Sequence, residues 1–309
     1  MYSSMTKQAA IISFWLLLFP CLHSQTFKAE EADKGIKVYE DGHPVLFFNT
    51  TLNSQDGAYS RAQYVHPLYG LDGVALTEDF PKDHPHQRGV YWAWVQVHIG
   101  SQRIGDLWHT KNIVAEVEDA FAMETAVGNM EIYSIANWKS PNWNEGAPFV
   151  QDSAVITIHP RKADYYIVDF DIFLTGLTDS VLIGGTESEK EYSGFITRLK
   201  IPDDIVFLSS NGEVRAQNAA VQAGSWMEFS GDFSKETKGI VLMAHPDNPG
   251  PNNKWVLRTK GSMQNAVYPG WHLVPVPQNN PLNLRYRLVV HNGNLDKNAI
   301  ENLAKTFGN

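Results

Sequence analysis

The sequence YYIVDFDIFL, residues 165–174, decides the fold class of this chain. All its even positions are apolar, whereas Asp169 and Asp171 occupy two of the odd positions between them. Successive side chains of a β-strand point to opposite faces, so this alternation predicts a strand with one buried and one polar face. The sequence LRYRLVVH, residues 284–291, alternates in a similar way and predicts a second such strand.

Similar segments recur along the chain between turn residues. They predict further strands at 90–99, 113–117, 130–138, 154–159, 195–201, 239–245 and 255–259. Alternation over many strands is typical of antiparallel sheets with one buried face each. Only residues 297–307 predict a helix, because apolar residues recur there at helical spacing after a capping Asp296. We therefore predict an all-β fold, an antiparallel β-sandwich or its larger double-sheet super-sandwich form, with long loops and a short C-terminal helix.

The composition predicts one large hydrophobic core. The chain has 309 residues, of which 43% are hydrophobic and 12% aromatic, enough for one domain with a sizeable core. We expect residues 26–309 to form a single β-sandwich catalytic domain. The formal net charge is −9 at pH 7, which argues against nucleic acid as a partner. An anionic ligand would have to be bound by locally concentrated arginine and histidine.

Residues 1–25 are typical of a secretory signal peptide. Lys7 precedes an apolar run from Ala9 to Phe19, and polar residues follow it. The run is too short to span a membrane comfortably, so we expect no stable membrane insertion. The only cysteine, Cys21, lies in this segment, and the bulky residues before it fit a lipid-attachment signal poorly. We therefore expect a periplasmic or secreted protein without disulfides and without a lipid anchor.

Candidate functional residues concentrate in HPHQRGVYWAW, residues 84–94. Two histidines and an arginine alternate there and lead into an aromatic strand, and alternate side chains of an extended segment share a face. The residues of that face, continued along the predicted strand, are His84, His86, Arg88, Trp92, Trp94, Gln96 and His98. Flat rings beside hydrogen-bonding groups are what a sugar-binding cleft requires, so we expect this face to line a groove. In the alternative interpretation, the tryptophans belong to a second core layer and the histidines make only structural hydrogen bonds.

Other segments supply further candidates. A tryptophan and a histidine follow in DLWH, 106–109, an Asn- and Trp-rich loop covers 142–145, and an acidic loop precedes 192–198. The candidates from these segments and from YPGWH, 268–272, are His109, Trp143, Tyr192, Arg198 and His272. Histidine and tyrosine can move protons within hydrogen-bonding reach of a substrate, and indole rings can stack on sugars.

A metal site is another interpretation of the histidine motif. His84 and His86, with Asp83 or His109 as a third ligand, could hold a divalent metal such as zinc. None of these spacings is diagnostic, so we expect no cofactor. The sequence also has no Gly-x-Ser-x-Gly nucleophile elbow, no phosphate-binding glycine loop and no dinucleotide fingerprint.

Several motifs of the chain resemble a bacterial family that carries the name methane oxygenase PmoA and occurs in polysaccharide-degradation loci. The motifs are residues 83–92, 106–109, 195–199, 268–272 and 284–293. The name does not suit this chain, because a membrane-embedded copper oxygenase subunit needs several apolar spans of about 20 residues and none follows the predicted signal peptide. The chain is also similar to the oligosaccharide dehydratases of ulvan breakdown, which remove water from a non-reducing-end uronic acid to leave a 4,5-unsaturated sugar.

This resemblance implies an exported dehydratase, a carbon–oxygen hydro-lyase that acts on anionic, ulvan-type oligosaccharides. Such an elimination needs a cation to neutralise the substrate carboxylate, a base at C5 and an acid at C4. Arg88 is the expected carboxylate ligand, because a guanidinium binds a carboxylate through two hydrogen bonds. The expected base and acid are among His84, His86, His109 and Tyr192. Substrate contacts are expected from Trp92, Trp94, Gln96, Trp143, Arg198 and His272.

Two other kinds of function stay open at this point. A glycoside hydrolase or a sugar epimerase on the same scaffold would require two carboxylates that face one another across the groove. A non-catalytic glycan-binding module would use the histidines and arginines only as hydrogen-bonding groups.

Overall fold

The computed structural model describes residues 26–250 and 252–308. The predicted signal peptide, residues 1–25, lies outside the described residues. The described part contains 24 strands, a short 3-10 helix at Asn144–Gly146 and an α-helix, α1, at Lys297–Phe307. In chain order the strands are β1 (Phe27–Ala32), β2 (Gly35–Glu40), β3 (His43–Asn49), β4 (Asn53–Gln55), β5 (Ala58–Arg61), β6 (Tyr64–Leu68), β7 (Val90–Trp94), β8 (Gln96–Ile99), β9 (Gln102–Gly105), β10 (Val114–Glu124), β11 (Met130–Lys139), β12 (Val150–Ile158), β13 (Tyr165–Gly176), β14 (Val181–Gly184), β15 (Ser193–Thr197), β16 (Val206–Ser209), β17 (Gly212–Glu213), β18 (Val221–Gln222), β19 (Trp226–Asp232), β20 (Thr237–Ala244), β21 (Lys254–Val256), β22 (Gln264–Val267), β23 (Val274–Pro275) and β24 (Leu282–Asn292).

Two nine-stranded antiparallel sheets make up most of the described fold. The first sheet has the strand order β1-β2-β3-β6-β7-β15-β22-β21-β18, and the second has the order β10-β11-β12-β13-β24-β20-β19-β16-β17. A four-stranded sheet, β23-β14-β8-β9, and the hairpin β4-β5 pack beside them. The prediction of an all-β antiparallel sandwich with one short C-terminal helix is confirmed.

Strand β13 contains the segment that decided the fold class, and it lies between β12 and β24 in the second sheet. Buried and partly exposed residues alternate along it, as predicted. The Phe170 ring faces the first sheet, where it lies 5.0 Å from the ring of Phe195 on β15. Tyr286 of β24 stacks on the same Phe195 ring at 4.5 Å. The inner faces of the two sheets therefore meet in an aromatic core, and each such buried ring stabilises the fold by about 2–3 kcal/mol.

Helix α1 covers the outer face of the second sheet. Asp296 caps it, because the Asn298 amide donates a hydrogen bond to the Asp296 carboxylate at 3.1 Å. Ile300 is buried against a small apolar cluster that includes Trp226 and Val289. An isolated helix of this length is marginal in water, so packing of its apolar stripe stabilises it. No helix in the described part of the chain has the length and apolarity needed to cross a bilayer.

Strand β7 positions the candidate site. It lies between β6 and β15 in the first sheet, and residues on both of its faces are buried. The single strand predicted at 90–99 is divided after Trp94. The physical reason is a change of partner, because β7 pairs within the first sheet whereas β8 pairs with β14 and β9 in the four-stranded sheet.

Candidate functional site

Gly89 separates the histidine motif from the strand that follows it. Its φ is 38°, and a Cβ at this position would lie 2.0 Å from the backbone oxygen of Val65. Only glycine accepts this combination of positive φ and close approach. The alternation of an extended chain is interrupted here, so side chains before and after Gly89 do not continue along one face.

The two tryptophans of β7 lie between the sheets. Nε1 of Trp92 donates a hydrogen bond to Oδ2 of Asp152 at 2.8 Å, and Nε1 of Trp94 donates to the backbone oxygen of Tyr268 at 2.9 Å. Both indoles are buried, so neither offers a ring face to a sugar. The prediction that Trp92 and Trp94 line a groove is wrong, because this face of β7 packs on the second sheet. The alternative interpretation, a second core layer, describes them correctly.

The opposite face of β7 carries Tyr91, which loops cover. The guanidinium of Arg61 lies 4.2 Å from the centre of the Tyr91 ring, and the Trp108 ring lies 6.5 Å from it. Nη2 of Arg61 donates hydrogen bonds to the backbone oxygens of Leu107 at 2.8 Å and Trp108 at 3.0 Å. These bonds attach the arginine to the segment that carries His109. Charged and polar groups therefore gather on this outer face, away from the face of the tryptophans.

Three imidazoles meet on the outer side of the first sheet. The ring of His86 lies 4.7 Å from the ring of His109 and 5.8 Å from the ring of His84. We call these three residues the histidine cluster. The structure thus brings together three of the predicted catalytic residues, two from the loop before β7 and one from the loop after β9.

Carboxylates orient two residues of the histidine cluster. Nδ1 of His109 lies 2.8 Å from Oδ2 of Asp106, and Nδ1 of His84 lies 2.9 Å from Oδ2 of Asp83. A carboxylate oxygen accepts hydrogen bonds, so each Nδ1 carries a proton and the Nε2 of a neutral ring has a lone pair that can accept another. Burial alone would raise the pKa of Asp83, but hydrogen bonds from His84 and Arg198 outweigh it and lower this pKa. Both pairs have the arrangement of an imidazole prepared for proton transfer.

His86 lies between these two pairs in a different environment. Burial, followed by the nearby charges of His109, Arg61 and His84, lowers the pKa of His86 to about 3. The ring is therefore a neutral imidazole at neutral pH. A neutral imidazole has one N–H donor and one acceptor nitrogen, which suits it to hydrogen-bond a substrate hydroxyl.

A cleft of about 460 Å³ borders the histidine cluster at His109. Its walls include Tyr59, Lys111 and Lys139, and its volume is typical of small-molecule sites. Lys111 is exposed, whereas Lys139 pairs with Glu116 at 2.7 Å. The cleft provides room for a sugar ring beside His109, with an exposed cation at its edge.

Arg88, the expected carboxylate ligand, has no donor left for a ligand. Its side chain is 0% exposed and is surrounded by hydrogen-bond acceptors of the protein itself. Nε and Nη2 both donate to the Asp79 carboxylate, Nη2 also donates to the hydroxyl of Tyr64, and Nη1 donates to the backbone oxygens of Asn53 and Tyr59. All five N–H groups of the guanidinium are thereby engaged. The geometry does not agree with the role predicted for Arg88, and it gives this residue a structural one.

Arg198 and Gln96 are also buried and engaged within the protein. Arg198 donates to Glu78 at 2.9 Å and to Asp83 at 2.9 Å, which fixes the loop of the histidine motif. Nε2 of Gln96 donates to the backbone oxygen of Gly185 at 2.6 Å. Burial of both side chains does not agree with the substrate contacts predicted for them.

Tyr192 lies beside the segment that carries His109. Its ring stacks on the Trp108 ring at 5.1 Å with an angle of 13° between the planes. Its hydroxyl accepts a hydrogen bond from Nη2 of Arg258 at 3.3 Å. The ring is only partly buried, so Tyr192 stays a candidate for the wall of the site.

Trp143 and His272 lie apart from the cluster. Trp143 packs against the edge of the core, and the exposed His272 ring lies 4.2 Å from the ring of Trp271. Within the described residues, no ring contact or hydrogen bond joins either of them to the histidine cluster. Their predicted roles in substrate binding stay predictions.

Arg61 is the residue of this site that the motifs do not reveal. Its side chain is only 5% exposed, and no carboxylate among the described residues lies within ion-pair distance of it. The groups around it, Tyr91 and the carbonyls of Leu107 and Trp108, come from distant segments of the chain. No local pattern in the sequence could have distinguished this arginine from the others.

The histidine cluster contains residue types that bind metals. Among the residues described, no group of three or more histidine, cysteine, aspartate or glutamate side chains has the geometry to hold a metal ion. The sequence interpretation of a divalent metal at His84 and His86, like the expectation of no cofactor, stays untested.

These features define an all-β sandwich protein with a histidine-rich site on the outer face of one sheet. The chain belongs to a family of unknown function, DUF6807, whose model matches residues 35–305. The match covers the second nine-stranded sheet, all of the first except β1, and the whole histidine cluster. No curated protein matches the chain at a significant level.

Proposed function

We propose that this protein is a carbohydrate-active dehydratase that removes water from a uronic acid at the non-reducing end of an oligosaccharide. The observation that carries the proposal is the histidine cluster, in which two carboxylate-oriented imidazoles flank a neutral one beside a cleft of sugar-ring size. The resemblance of the motifs to ulvan-degrading dehydratases supports the same reaction and suggests an anionic, ulvan-type substrate.

The reaction needs one base and one acid close together. The base takes the proton from C5, which lies next to the sugar carboxylate. The electron pair of that C–H bond forms the C4–C5 double bond as the C4–O bond breaks. The acid gives its proton to the departing hydroxyl, so that water leaves and a 4,5-unsaturated uronic acid remains. Two proton-exchanging groups in one cluster at the border of a cleft fit this chemistry.

We assign the proton exchange to His84 and His109. Asp83 and Asp106 hold their Nδ1 atoms and stabilise the imidazolium that forms when Nε2 takes a proton. The neutral His86 between them serves as a hydrogen-bonding group for a sugar hydroxyl, because its low pKa makes it a poor proton donor at neutral pH. The variants below test whether each of the two oriented imidazoles takes part in the reaction.

One observation favours elimination over glycoside hydrolysis. A glycosidase uses two carboxyl groups that face the scissile bond, one as acid and one as base or nucleophile. The carboxylates of the site, Asp83 and Asp106, each accept a hydrogen bond from Nδ1 of an imidazole and orient that ring. No carboxylate is among the described residues that line the cleft, whereas the imidazole of His109 is.

The predicted signal peptide supports a location in the periplasm or outside the cell, where such oligosaccharides arise. An anionic oligosaccharide is the proposed partner.

To test the proposal, the purified protein is incubated with uronic-acid-ended oligosaccharides. The ultraviolet absorbance of the mixture and the mass of the oligosaccharides are then followed. We expect new absorbance together with the loss of one water. His109→Ala should lower kcat by at least about 100-fold, the scale of a lost general acid or base. The matched control is His159→Ala, because His159 also pairs with an aspartate, at 2.8 Å, and is 30% exposed against 31% for His109. The control variant should keep full activity.

Other outcomes overturn the proposal. Shortened chains identify a hydrolase, and a changed sugar configuration at constant mass identifies an epimerase. Binding without any chemical change identifies a glycan-binding module. Undiminished water loss in both His109→Ala and His84→Ala would also exclude the assigned residues.

A further inference from the structure

We infer that Arg61 forms an anion-binding site that holds the carboxylate of an acidic sugar beside the histidine cluster. The inference deepens the proposed function and rests on it for the identity of the ligand. Three observations carry it: a buried guanidinium without a counter-ion, donors without acceptors, and a position behind the cleft.

Arg61 differs from the other buried arginines of the described residues, each of which pairs with a carboxylate. The pairs are Arg88 with Asp79, Arg198 with Asp83 and Arg287 with Asp169. Arg61 contacts only backbone oxygens and an aromatic ring. A charge buried without an ion-pair partner destabilises the fold. A ligand that brings a negative charge would remove this penalty.

The donors of Arg61 are only partly used. Nη2 donates to the carbonyls of Leu107 and Trp108. Nε is buried without a hydrogen-bond partner, and Nη1 donates to no described residue. A buried donor without an acceptor destabilises the protein, so this arrangement favours the arrival of an acceptor. Carboxylate oxygens form charge-assisted hydrogen bonds with guanidinium groups.

The position of Arg61 connects it to the reacting groups. The cavity beside Arg61 is small, about 10 Å³, and Asp152 also lines it, but it shares Ser60 and Thr110 with the much larger cleft that borders His109. The charge of Arg61 is also one of the causes that lower the pKa of His86, which indicates that the guanidinium lies near that ring. A uronic acid in the cleft whose carboxylate reaches toward Arg61 past Ser60 and Thr110 would have its C5 proton on the side of His109.

Arg61 keeps its charge in this environment. Burial lowers the pKa of Arg61 to about 10, which still leaves the guanidinium protonated at neutral pH. The Tyr91 ring beneath it offers a cation–π contact that offsets part of the lost hydration. The cation is therefore in place before a ligand arrives.

The test measures the binding of glucuronate to the full protein by titration calorimetry, with glucose as the neutral comparison. We expect wild type to bind glucuronate with an affinity that falls as salt is added. Arg61→Gln removes the charge and should weaken this binding by at least about tenfold, whereas Arg61→Lys keeps the charge and should lose less. Glucose binding should be the same in all three proteins.

A second readout separates anion binding from structural support. Glucuronate should raise the Tm of wild type but not that of Arg61→Gln, because a ligand stabilises only a protein that binds it. The control is Arg287→Gln, which breaks a buried ion pair in the second sheet. This variant should unfold at a lower temperature and bind glucuronate with the wild-type affinity.

The outcomes distinguish the inference from the proposed function. Absence of glucuronate binding in wild type, or equal affinity in folded wild type and Arg61→Gln, overturns the anion site. Arg61-dependent binding without water loss supports the anion site and overturns the dehydratase. Water loss with an unchanged KM in Arg61→Gln overturns the role of Arg61 and leaves the dehydratase standing.

Discussion

The carboxylate of Asp106 holds His109 at two points: Oδ2 lies 2.8 Å from Nδ1 of the ring, and Oδ1 accepts the backbone amide of the same residue at 2.9 Å. Ring and backbone are thereby fixed by one side chain three residues earlier in the chain. A group held in this way needs little reorganisation before it transfers a proton, which is the advantage of a preorganised site.

Asp106→Asn should lower kcat by about 10–100-fold, the usual effect of losing the partner that orients a functional histidine. The amide can still accept from the His109 backbone, but its NH2 group cannot accept from Nδ1. The measurement is the rate of water loss from uronic-acid-ended oligosaccharides. Asp169→Asn, beside His159, is the control: it also loses the ion pair with Arg287, but the rate of the folded protein should stay unchanged. Equal rates in both variants would contradict the orienting role.

Arg88→Met should lower the free energy of unfolding by about 3 kcal/mol or more, because it leaves the Asp79 carboxylate without its buried partner. The KM of the molecules that fold should stay at the wild-type value. Chemical denaturation and steady-state kinetics measure the two quantities. A raised KM at unchanged stability would restore Arg88 as the ligand of the substrate carboxylate.

Gly89→Ala should destabilise the protein by at least about 3 kcal/mol, since the substitution adds a clash with Val65 to the strain of positive φ. Gly100→Ala is the comparison, because Gly100 also has positive φ but nothing lies within 4 Å of its added Cβ. That variant should lose only about 1 kcal/mol. Urea denaturation of both proteins measures the difference, and similar losses would show that the close approach contributes little.

Asp152→Asn should change how stability depends on pH. Burial raises the pKa of Asp152 from 3.8 to about 7, against hydrogen bonds from Trp92, Trp138 and Gln63 that lower it. Between these two values the unfolded chain is ionised while the folded carboxyl keeps its proton, so this group's contribution to stability is lost as pH rises from about 4 to 7. The variant does not ionise, and its stability relative to wild type should increase over this window by on the order of a few kcal/mol. Thermal unfolding at a series of pH values measures the trend, and a constant difference would contradict the raised pKa.

Much of the fold follows from local patterns in the sequence. The alternation around Asp169 and Asp171 identified β13, and the capping Asp296 with its apolar stripe identified α1. Such patterns are reliable because strand and helix periodicity depend only on neighbouring residues. They locate elements but say nothing about what lies against each face.

The candidate site shows where this reasoning stops. Alternation correctly placed Tyr91 on the opposite face of β7 from Trp92 and Trp94. Both faces of the strand are buried, however, so the sequence pattern does not show which of them packs on the second sheet. The sequence interpretation also continued one face of the strand through Gly89 to the histidine motif. The positive φ of Gly89 interrupts the alternation of side chains at that residue. Arg61 was missed because its partners come from distant loops.

The glycine before β7 also bears on how a protein of this kind can diversify. The backbone changes direction at Gly89, between the loop and the strand. The indoles of Trp92 and Trp94 are held by hydrogen bonds within the core, and these bonds do not involve the loop. New residues at the partly exposed positions 84–86 would face the ligand without disturbing the interior, to which Gln87 and Arg88 belong. Substitutions in the loop before Gly89 can therefore change the chemistry of the site while the β-sandwich keeps its structure.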